Sequence, residues 1–472
     1  MENAIHWFRR DFRIHDNTAL SLATRRASSV IGVFIIDDRW FPAAMGKMGP
    51  HQATFWLDAI RELKDQLAKL NIPLRVVRST DPVKTLLEIA ATRGAQLITF
   101  NKDYEPYQLA MDRRLAKYAA GAGIEIAALK DAVIFDEFEI LTGSNNPYTV
   151  FTPYKKAWLA KFSSHPAAPG PIAAALRPHP MAADVIPTAE ALGYAAVRIP
   201  IATGESGAQK MLGEFADSRI GFYKRDRDYP AITGISLLSA HLSAGTISVR
   251  QCVQAAAEQG AFRGCAGAEH WLSEIIWREF YKMVIFHFPH TVCEPFQHRY
   301  RHLQWSDRPE LFEAWKQGQT GYPIVDAAIR QIRTTGLMHN RLRMITAMFL
   351  TKDLDTHWRL GERQFMRWLM DYDQASNVGG WQWSAGTGTD AAPYFRIMNP
   401  VLQGQRYDPL GKFVRSMLPE LATVPDEFVH EPWRMDGAMQ RDCHCIIGED
   451  YPAPIVDHGQ ARAAAIAKFQ VS

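Results

Sequence analysis

The first 130 residues alternate short apolar runs with segments of helical periodicity, and this alternation restricts the fold more than any other feature. The predicted strands are AIHWF, VIGVFII, LRVVR, LITF and IEIAAL. The segments between them include TALSLATRRA, QATFWLDAIRELKDQLAKL and DPVKTLLEIAATRG, which have helical periodicity. In the last segment Asp81 is placed to cap a helix that Pro82 begins. Such alternation predicts βαβ units, so residues 1–130 should form a Rossmann-like α/β domain with a parallel sheet.

A parallel sheet of this kind binds ligands beyond the carboxyl ends of its strands, which places a ligand near Arg9, Arg10, Asp37 and Tyr104. No G-x-G-x-x-G sequence follows the first predicted strand. The usual dinucleotide site of a doubly wound fold is therefore not expected in this domain.

The pattern changes twice beyond residue 130. Residues 131–200 are rich in Ala, Pro and polar residues, with PAAPGPIAAALRPHP at their centre, and are predicted to connect two domains. Residues 201–472 are almost entirely helical in pattern, which predicts an all-α domain. This domain holds nine of the 13 tryptophans. Because each buried indole N–H needs a partner, so many indoles indicate more than a simple core.

Composition narrows the compartment and the partners. No run of about 18 apolar residues could cross a bilayer, and the amino terminus lacks the features of a secretory signal. The five cysteines form no disulfide framework, and Cys443-His444-Cys445 has no second ligand pair, so no metal is predicted. We expect a monomer in the cytoplasm without a membrane partner.

The charge distribution allows a nucleic-acid partner without requiring one. The net charge is only +3, but the stretches 330–343 and 278–302 are dominated by basic residues and His. Such stretches either contact phosphate or form a solvated basic face, and the sequence leaves both readings open.

One predicted helix gathers aromatic and charged residues on a single stripe: Trp271, Glu274, Trp277, Arg278 and Tyr281. One interpretation is an i,i+4 pair between Glu274 and Arg278 at a partly buried edge. The other is a binding surface, in which an indole stacks on a flat ring and a carboxylate accepts hydrogen bonds from its edge. Unstacked bases are commonly held in this way.

Two further segments carry polar residues that need an explanation. In MHNRLRM, the residues Asn340, Arg343 and Met344 share a helix face, although Asn340 is equally suited to be a cap and Met344 a core residue. Asp371 and Asp373 are predicted at a helix end, where a carboxylate opposes the helix dipole and calls for a cation or a ligand hydroxyl.

The stretch GTGTDA, residues 386–391, matches G-x-G-x-x-A. It follows WQWSA in a helical region instead of a strand, so the context of a dinucleotide loop is absent. We interpret it as a backbone turn.

Several long motifs, in order, resemble the photolyase and cryptochrome family. They are HWFRRDFRIHDN, VFTPYKKAW, WLSEIIWREFYKMVIFHFP, GQTGYPIVDAAIRQIRTTGLMHNRLRMITAMFLTKDL and SNVGGWQWSAGTGTDAAPYFRIMNP. The resemblance covers nearly the whole chain and is to the class I cyclobutane pyrimidine dimer photolyases. It implies an α/β antenna domain, a long linker and a helical domain that binds FAD.

The resemblance also implies an activity. Light-excited, reduced FAD gives an electron to a cyclobutane pyrimidine dimer in UV-damaged DNA, the ring splits, and the electron returns. The dimer must leave the duplex to reach the cofactor, and its damaged pairing and stacking lower that cost. The enzyme would be a deoxyribodipyrimidine photo-lyase, a carbon–carbon lyase.

Site residues follow from the same resemblance. FAD-binding positions are matched by Tyr223, Ser236, Leu238, Ser239, Trp271, Arg278, Arg343, Asp371, Asp373 and Asn377, the last facing flavin N5. Contacts to the dimer are matched by Glu274, Asn340, Met344, Trp277 and Trp383. DNA contacts are matched by Arg227 and Arg341, and a chain of electron-transferring tryptophans by Trp381, Trp358 and Trp305.

Two departures from the family pattern concern the cofactors. The T-S-x-L-S stretch reads Ile235-Ser236-Leu237-Leu238-Ser239 here, so a hydroxyl donor to the FAD diphosphate is lost at Ile235. Folate-binding relatives place His, Asn and Glu where this chain aligns Gly46, Tyr107 and Gln108. The resemblance implies a second, antenna chromophore, either a deazaflavin or methenyltetrahydrofolate, and YEPY at 104–107 resembles the deazaflavin-binding members more closely.

Two other functions remain alternatives. The first is a cryptochrome-type blue-light receptor without repair activity, which usually has a substantial extension after a region like YPAPIVDHGQARAAAIAKFQ. The second is a protein that binds nucleotides or RNA without photochemistry, which would be colourless when purified. Asn340, Met344 and the WQW pair favour dimer repair.

Overall fold

The amino-terminal part of the chain is built on a five-stranded parallel sheet. The computed structural model describes residues 1–179 and 181–470. Its strands are β1 (Asn3–Phe8), β2 (Ser29–Asp37), β3 (Leu74–Ser79), β4 (Leu97–Asn101) and β5 (Glu125–Leu129). They lie in the order β3-β2-β1-β4-β5, with parallel pairing between neighbours. The α/β fold predicted from the alternating pattern is confirmed.

Helices alternate with these strands. They are α1 (Thr18–Arg26), α2 (Pro50–Lys69), α3 (Pro82–Arg93) and α4 (Pro106–Gly121). The predicted cap of α3 is present, because the Asp81 side chain accepts a hydrogen bond from the Lys84 N–H. The sequence analysis missed α4, whose buried stripe of Met111, Leu115 and Ala119 is too narrow to stand out as a periodic pattern.

The strand order determines where a ligand can bind. β1 is central and is buried at every position after Asn3. From β1 the chain progresses outward to β2 and β3 on one side, and to β4 and β5 on the other. Such a change of direction opens a crevice beyond the carboxyl ends of the central strands.

The predicted connection, residues 131–200, contains a helix that the sequence analysis missed. Helix α5 (Phe151–Ser164) buries Phe151, Tyr154, Trp158 and Phe162. Its third residue is Pro153. Proline usually indicates the end of a helix in a sequence, but it is tolerated in the first turn.

The rest of the chain is helical, as predicted. Its helices are α6 (Gly204–Ser218), α7 (Tyr223–Asp226), α8 (Ser239–Ala244), α9 (Val249–Glu258), α10 (Ala266–His287), α11 (Pro309–Gln317), α12 (Pro323–Thr335), α13 (Asn340–Met348), α14 (Trp358–Trp368), α15 (Gln374–Ala385), α16 (Pro400–Tyr407), α17 (Lys412–Met417), α18 (Gly437–Asp442) and α19 (His458–Gln470). A π-helical turn, Phe349–Asp353, follows α13. Within the described ranges, no helix combines the length and apolar character that a membrane span requires.

By packing, the chain divides into two compact units. The first contains Met1–Lys224, Ser236–Pro289 and Met370–Ala375. The second contains Arg225–Ile235, His290–Leu369 and the residues from Ser376 onward. The sequence-based division at residues 130 and 200 stays a prediction.

Candidate functional site

In the first unit, α10 carries a half-exposed stripe on an otherwise buried surface. Glu274, Trp277, Arg278 and Tyr281 are half-buried, and the residues between them are buried. Arg278 donates hydrogen bonds to the carbonyl oxygens of Ala132 (2.6 Å) and Leu242 (3.1 Å). Backbone carbonyls therefore hold Arg278. Its described hydrogen bonds do not include the i,i+4 pair with Glu274, which was one of the two interpretations of the sequence.

The indole of Trp277 is backed by a second aromatic ring. Phe151 stacks on it with ring centroids 3.6 Å apart and planes at 9°, and Tyr281 lies 5.4 Å away at a tilt. The sequence analysis missed the role of Phe151 because it treated residues 131–200 as a connection. The motif VFTPYKKAW, which begins one residue earlier, was the signal available. A backed, half-exposed indole is suited to stacking on a flat ligand ring.

Asp373 belongs to a buried ion-pair network. The Lys282 ammonium lies 2.6 Å from its Oδ2, and both side chains are buried. Burial alone would raise the pKa of Asp373, but the charges of Lys282, Arg278 and Arg10 hold it well below its ordinary value. Lys282 was not predicted as a site residue, and the sequence gives no signal that singles it out.

The expectation that Asp371 and Asp373 oppose a helix dipole was wrong for Asp373. Helix α14 ends at Trp368, and Asp373 directly precedes Gln374, the first residue of α15. A carboxylate at a helix start is favoured by the dipole instead of opposed. Asp371 is also buried.

The altered serine-rich stretch contains a residue in the left-handed region. Leu237 has a φ of +56°, and Leu238 follows in the right-handed helical region. Such a sequence of conformations turns successive N–H groups toward one side, where they bind anions. A non-glycine residue at positive φ costs about 1 kcal/mol and is concentrated at functional sites. Ser236 is half-buried and Ser239 exposed, and Ser236 Oγ accepts a hydrogen bond from the Leu238 N–H at 3.4 Å.

Two predicted FAD-binding aromatic residues are already covered by protein. Trp271 and Tyr223 are buried, and both pack against Phe215, with ring centroids 5.1 Å and 5.9 Å from it. The structure therefore places these two rings mainly in the core beside α10.

The first unit also has a cavity that is open to solvent and lies beyond the carboxyl ends of β1 and β2. Its walls are mostly aromatic and apolar, with polar groups among them; they include Arg9, Arg10, Asp37, Trp40, Gln52, Trp56, Glu105, Tyr107, Gln108 and Tyr372. We call it the antenna cavity. Three of the four residues expected near a ligand line it, but Tyr104 does not. Its buried hydroxyl instead donates a hydrogen bond to Asp136 Oδ1 at 2.6 Å.

At two of the three positions where folate-binding relatives place His, Asn and Glu, this chain has side chains that form hydrogen bonds within the protein. The Tyr107 hydroxyl contacts Asp37 and Arg39, and Gln108 Oε1 accepts a hydrogen bond from Arg9 at 3.3 Å. Gly46, with φ of +61°, ends a short 3-10 turn and has no side chain to offer. None of these three positions supplies the pattern of the folate-binding relatives.

In the second unit, Asn340 is the first residue of α13 and is exposed. The helix cap is His339, whose side chain accepts a hydrogen bond from the Arg341 N–H at 3.2 Å, so Asn340 is not the cap. Its Nδ2 lies 3.9 Å from the sulfur of half-buried Met344. Arg343 Nε donates to the carbonyl of Met338 at 2.9 Å. The shared face of Asn340 and Met344 is confirmed.

Asn377 is oriented by a residue that the sequence analysis missed. Its Nδ2 donates to Glu362 Oε1 at 2.9 Å and to the Glu362 carbonyl oxygen at 3.1 Å. These two bonds use both amide hydrogens, so the amide oxygen is the atom of this side chain that can accept a further hydrogen bond.

The two neighbouring indoles of α15 have different environments. Trp381 is buried against Phe365 and Trp315, at centroid distances of 4.9 Å and 6.2 Å, whereas Trp383 is half-exposed. Between them, the buried amide of Gln382 donates to the carbonyls of Thr291 (2.7 Å) and Glu294 (2.9 Å). The helix thus presents two indoles to two surroundings.

GTGTDA is a helix-ending turn, in agreement with the prediction. Gly386 has a φ of +78°, and the Thr387 N–H donates to the Gln382 carbonyl at 3.0 Å, which is the six-to-one bond of a Schellman motif. At Gly388, a Cβ would lie 3.1 Å from the Gln382 backbone. One glycine is explained by its φ and the other by close approach.

The three tryptophans predicted to transfer electrons differ in their exposure to solvent. Trp358 and Trp381 are buried, and their indole nitrogens have no hydrogen-bond partner in the described part of the chain. Trp305 is half-exposed. The ring of His357 lies 5.5 Å from Trp305 and 5.8 Å from Trp358.

Gly361 of α14 makes room for Trp381, because a Cβ at this position would overlap the indole ring. Replacing Gly361 with Ala should therefore lower the free energy of unfolding by about 1–3 kcal/mol, as overpacking does. Urea denaturation measures this change. Gly380→Ala on α15 is the matched control, since nothing lies within 4 Å of its added Cβ. It should stabilise the helix by up to about 1 kcal/mol. Wild-type stability of Gly361→Ala would contradict the packing argument.

Arg227 and Arg341, the two residues predicted to contact DNA, both lie near the carboxylate of Asp228. Asp228 Oδ1 lies 2.8 Å from Arg341 Nη2 and 3.8 Å from Arg227 Nε. The Arg341 guanidinium also lies over the Tyr407 ring at 4.4 Å. In the basic stretch 330–343, Arg330 forms a bidentate pair with Glu420, so this residue is structural.

The comparisons with known proteins agree with this geometry. Residues 4–172 match the family model "DNA photolyase", and residues 271–471 match "FAD binding domain of DNA photolyase". The chain is 39% identical to the deoxyribodipyrimidine photo-lyase of Escherichia coli over 100% of this chain and 99% of the relative.

Solved structures show the same fold. A bacterial class III photolyase from Agrobacterium tumefaciens superposes with a TM-score of 0.90 at 34% identity, over 100% of this chain and 98% of that one. An archaeal photolyase from Sulfolobus tokodaii, described with two FAD molecules, gives 0.84 at 30% identity over 100% of both chains. The chain belongs to the DNA photolyase family.

Proposed function

We propose that the protein repairs cyclobutane pyrimidine dimers in DNA by the use of light, as a deoxyribodipyrimidine photo-lyase. The observation that carries the proposal is the half-exposed stripe of α10, on which Glu274 accompanies an indole backed by Phe151. Full-length similarity to deoxyribodipyrimidine photo-lyases supports the same activity.

FAD, when bound in its reduced form, supplies the light-excited electron that opens the dimer's cyclobutane ring and then recovers that electron. Its diphosphate would be held beside the left-handed residue Leu237, by Ser236, Leu238 and Ser239. Asn377, oriented by Glu362, would offer its amide oxygen to flavin N5. Further contacts are proposed for Tyr223, Trp271, Arg278, Arg343, Asp371 and Asp373.

The dimer would be held by stacking and by hydrogen bonds to its base edges. Trp277 and Trp383 supply the aromatic surfaces, Glu274 and Asn340 the hydrogen bonds, and Met344 an apolar contact. Extrusion of the dimer from the duplex costs a few kcal/mol, and least for a damaged base, so the pocket selects for the lesion. Arg227 and Arg341 would contact DNA phosphates. The contribution of such contacts to the affinity for DNA decreases as the salt concentration rises.

Trp381, Trp358 and Trp305 are proposed to pass electrons inward from solvent. Trp305→Phe should therefore abolish most light-driven reduction of bound FAD, because Phe is much harder to oxidise than Trp. Flavin absorbance during illumination with a thiol reductant measures the effect. Repair by chemically reduced protein should be unchanged, and photoreduction at the wild-type rate would show that Trp305 is not the terminal donor.

The antenna cavity is proposed to bind a planar light-harvesting chromophore of the deazaflavin type. The engagement of Tyr107 by Asp37 and Arg39, and of Gln108 by Arg9, argues against methenyltetrahydrofolate. Aromatic walls such as Trp40 and Trp56 suit a flat ring. The absorbance spectrum of the chromophore extracted from native protein distinguishes the two.

Membership of class I, a monomeric state and a cytoplasmic location belong to the same proposal. The five cysteines are all thiols, which suits a reducing compartment. Size-exclusion chromatography with light scattering tests the oligomeric state.

Binding in the dark tests the proposal against its rivals. Purified protein should carry flavin absorbance and should bind a dimer-containing oligonucleotide more tightly than the intact one. Equal affinity for the two oligonucleotides would contradict repair and favour a signalling receptor. Colourless protein would favour binding of nucleotides or RNA without photochemistry.

A further inference from the structure

One wall of the antenna cavity is the segment that carries two proposed FAD-binding residues. Tyr372 lines the cavity, and its neighbours along the chain are Asp371 and Asp373. The Tyr372 carbonyl accepts hydrogen bonds from Ser243 Oγ at 2.6 Å and from Gln52 Nε2 at 3.4 Å. Gln52 also lines the cavity. The segment is thus held partly by one side chain, that of Gln52, which lines the antenna cavity.

Glu105 joins this cavity to the start of α15. It lines the cavity, and both terminal nitrogens of Arg10 donate to its carboxylate, at 2.5 Å and 3.0 Å. The N–H of Gln374 donates to the same carboxylate at 3.2 Å. At a helix start this contact satisfies an otherwise unpaired N–H and is favoured by the dipole. Asp373, which pairs with Lys282, is the residue immediately before Gln374.

We infer that Glu105 is a positioning residue that couples occupancy of the antenna cavity to the binding of FAD. The inference rests on the proposed function, because it takes the antenna cavity and Asp373 in their proposed roles. A planar ligand in the cavity would pack against Tyr372 and cover the part of the Arg10 side chain, 18% of its surface, that solvent still reaches beside buried Glu105. Electrostatic contacts strengthen where water is excluded, so the carboxylate holds Gln374, and with it Asp373, more firmly.

The coupling is reciprocal by thermodynamic necessity. If a ligand in the antenna cavity tightens FAD binding by some factor, FAD tightens binding of that ligand by the same factor. The two affinities therefore provide independent measurements of one coupling free energy.

The test measures FAD retained by the full-length holoprotein over a series of dilutions, with and without saturating 8-hydroxy-5-deazariboflavin as the probe. In the wild type the probe should lower the Kd of FAD by about fivefold, the low end of typical couplings. In Glu105→Ala the factor should fall to within experimental error of one. Gln374→Pro should do the same, because Pro is tolerated at a helix start but lacks the N–H that Glu105 accepts.

Trp40→Ala is the matched control. It removes a wall of the antenna cavity whose described ring contacts are with Tyr107 and Lys47. The probe should therefore bind more weakly but, at saturation, tighten FAD binding as in the wild type. A factor of one in the wild type, or an undiminished factor in Glu105→Ala and Gln374→Pro, would overturn the inference. Failure of the wild type to bind either FAD or the probe would instead contradict the proposed function.

Discussion

Replacing Lys282 with Met is expected to lower the free energy of unfolding by about 3–5 kcal/mol, the cost of leaving a buried charge without its partner. Lys282 and Asp373 are both buried, with their charged atoms 2.6 Å apart. Arg278 and Arg10 also lower the pKa of Asp373, but the charge of Lys282 lowers it most. Urea denaturation of FAD-depleted protein measures the loss without the contribution of the cofactor.

The double variant Lys282→Met/Asp373→Asn separates the buried charge from the loss of packing. Because the remaining side chains are neutral, it should recover at least half of the stability lost in Lys282→Met. FAD binding should stay weak, since Asp373 is one of the proposed FAD contacts. A single variant as stable as the wild type would show that the network does not hold this segment in place.

Replacing Trp277 with Ala is expected to weaken binding of dimer-containing DNA by about 5- to 150-fold, from the 1–3 kcal/mol that base–aromatic stacking contributes. Glu274→Ala should cost about 1.5–3 kcal/mol of the same binding free energy, as a charged hydrogen-bonding group does. Both variants should retain FAD and bind intact duplex as the wild type does, because neither residue is proposed to contact phosphate. Fluorescence anisotropy with dimer-containing and intact oligonucleotides measures the two affinities.

Tyr281→Phe is the matched control for these variants. It lies on the same stripe of α10 and keeps its ring, so dimer binding should change little. Phe151→Leu should give a smaller loss than Trp277→Ala, because it removes the ring behind the indole and leaves the indole itself. Undiminished preference for the dimer in Trp277→Ala would show that the lesion binds elsewhere.

Sequence patterns predicted the sheet well because three of its strands, β1, β2 and β4, are buried along nearly their whole length. β1 and β2 stand out as apolar runs bounded by polar residues, and the Asp81-Pro82 pair defines the start of α3. The α15 stretch could also be interpreted from the sequence, since its two tryptophans are one residue apart and a glycine, Gly386, follows the last residue of the helix. In each of these cases, the residues of the segment itself were sufficient to predict its secondary structure.

The residues that were missed act through contacts between distant parts of the chain. Lys282 pairs with Asp373, Phe151 lies behind Trp277, and Glu362 orients Asn377, across 91, 126 and 15 positions respectively. Periodicity reports which face of an element is buried, but not what covers it. Gly361 lies inside α14, and the reason for a glycine there, the ring of Trp381, is a contact that only the structure shows.

Repair itself is the most direct test of the account. Chemically reduced protein should be mixed with an oligonucleotide that carries one cyclobutane thymine dimer, illuminated with blue light, and the DNA separated by chromatography. We predict that the intact oligonucleotide accumulates over many turnovers in the light, and that none forms in the dark. Tight binding of the dimer without restored thymines under illumination would contradict the proposed photolyase activity.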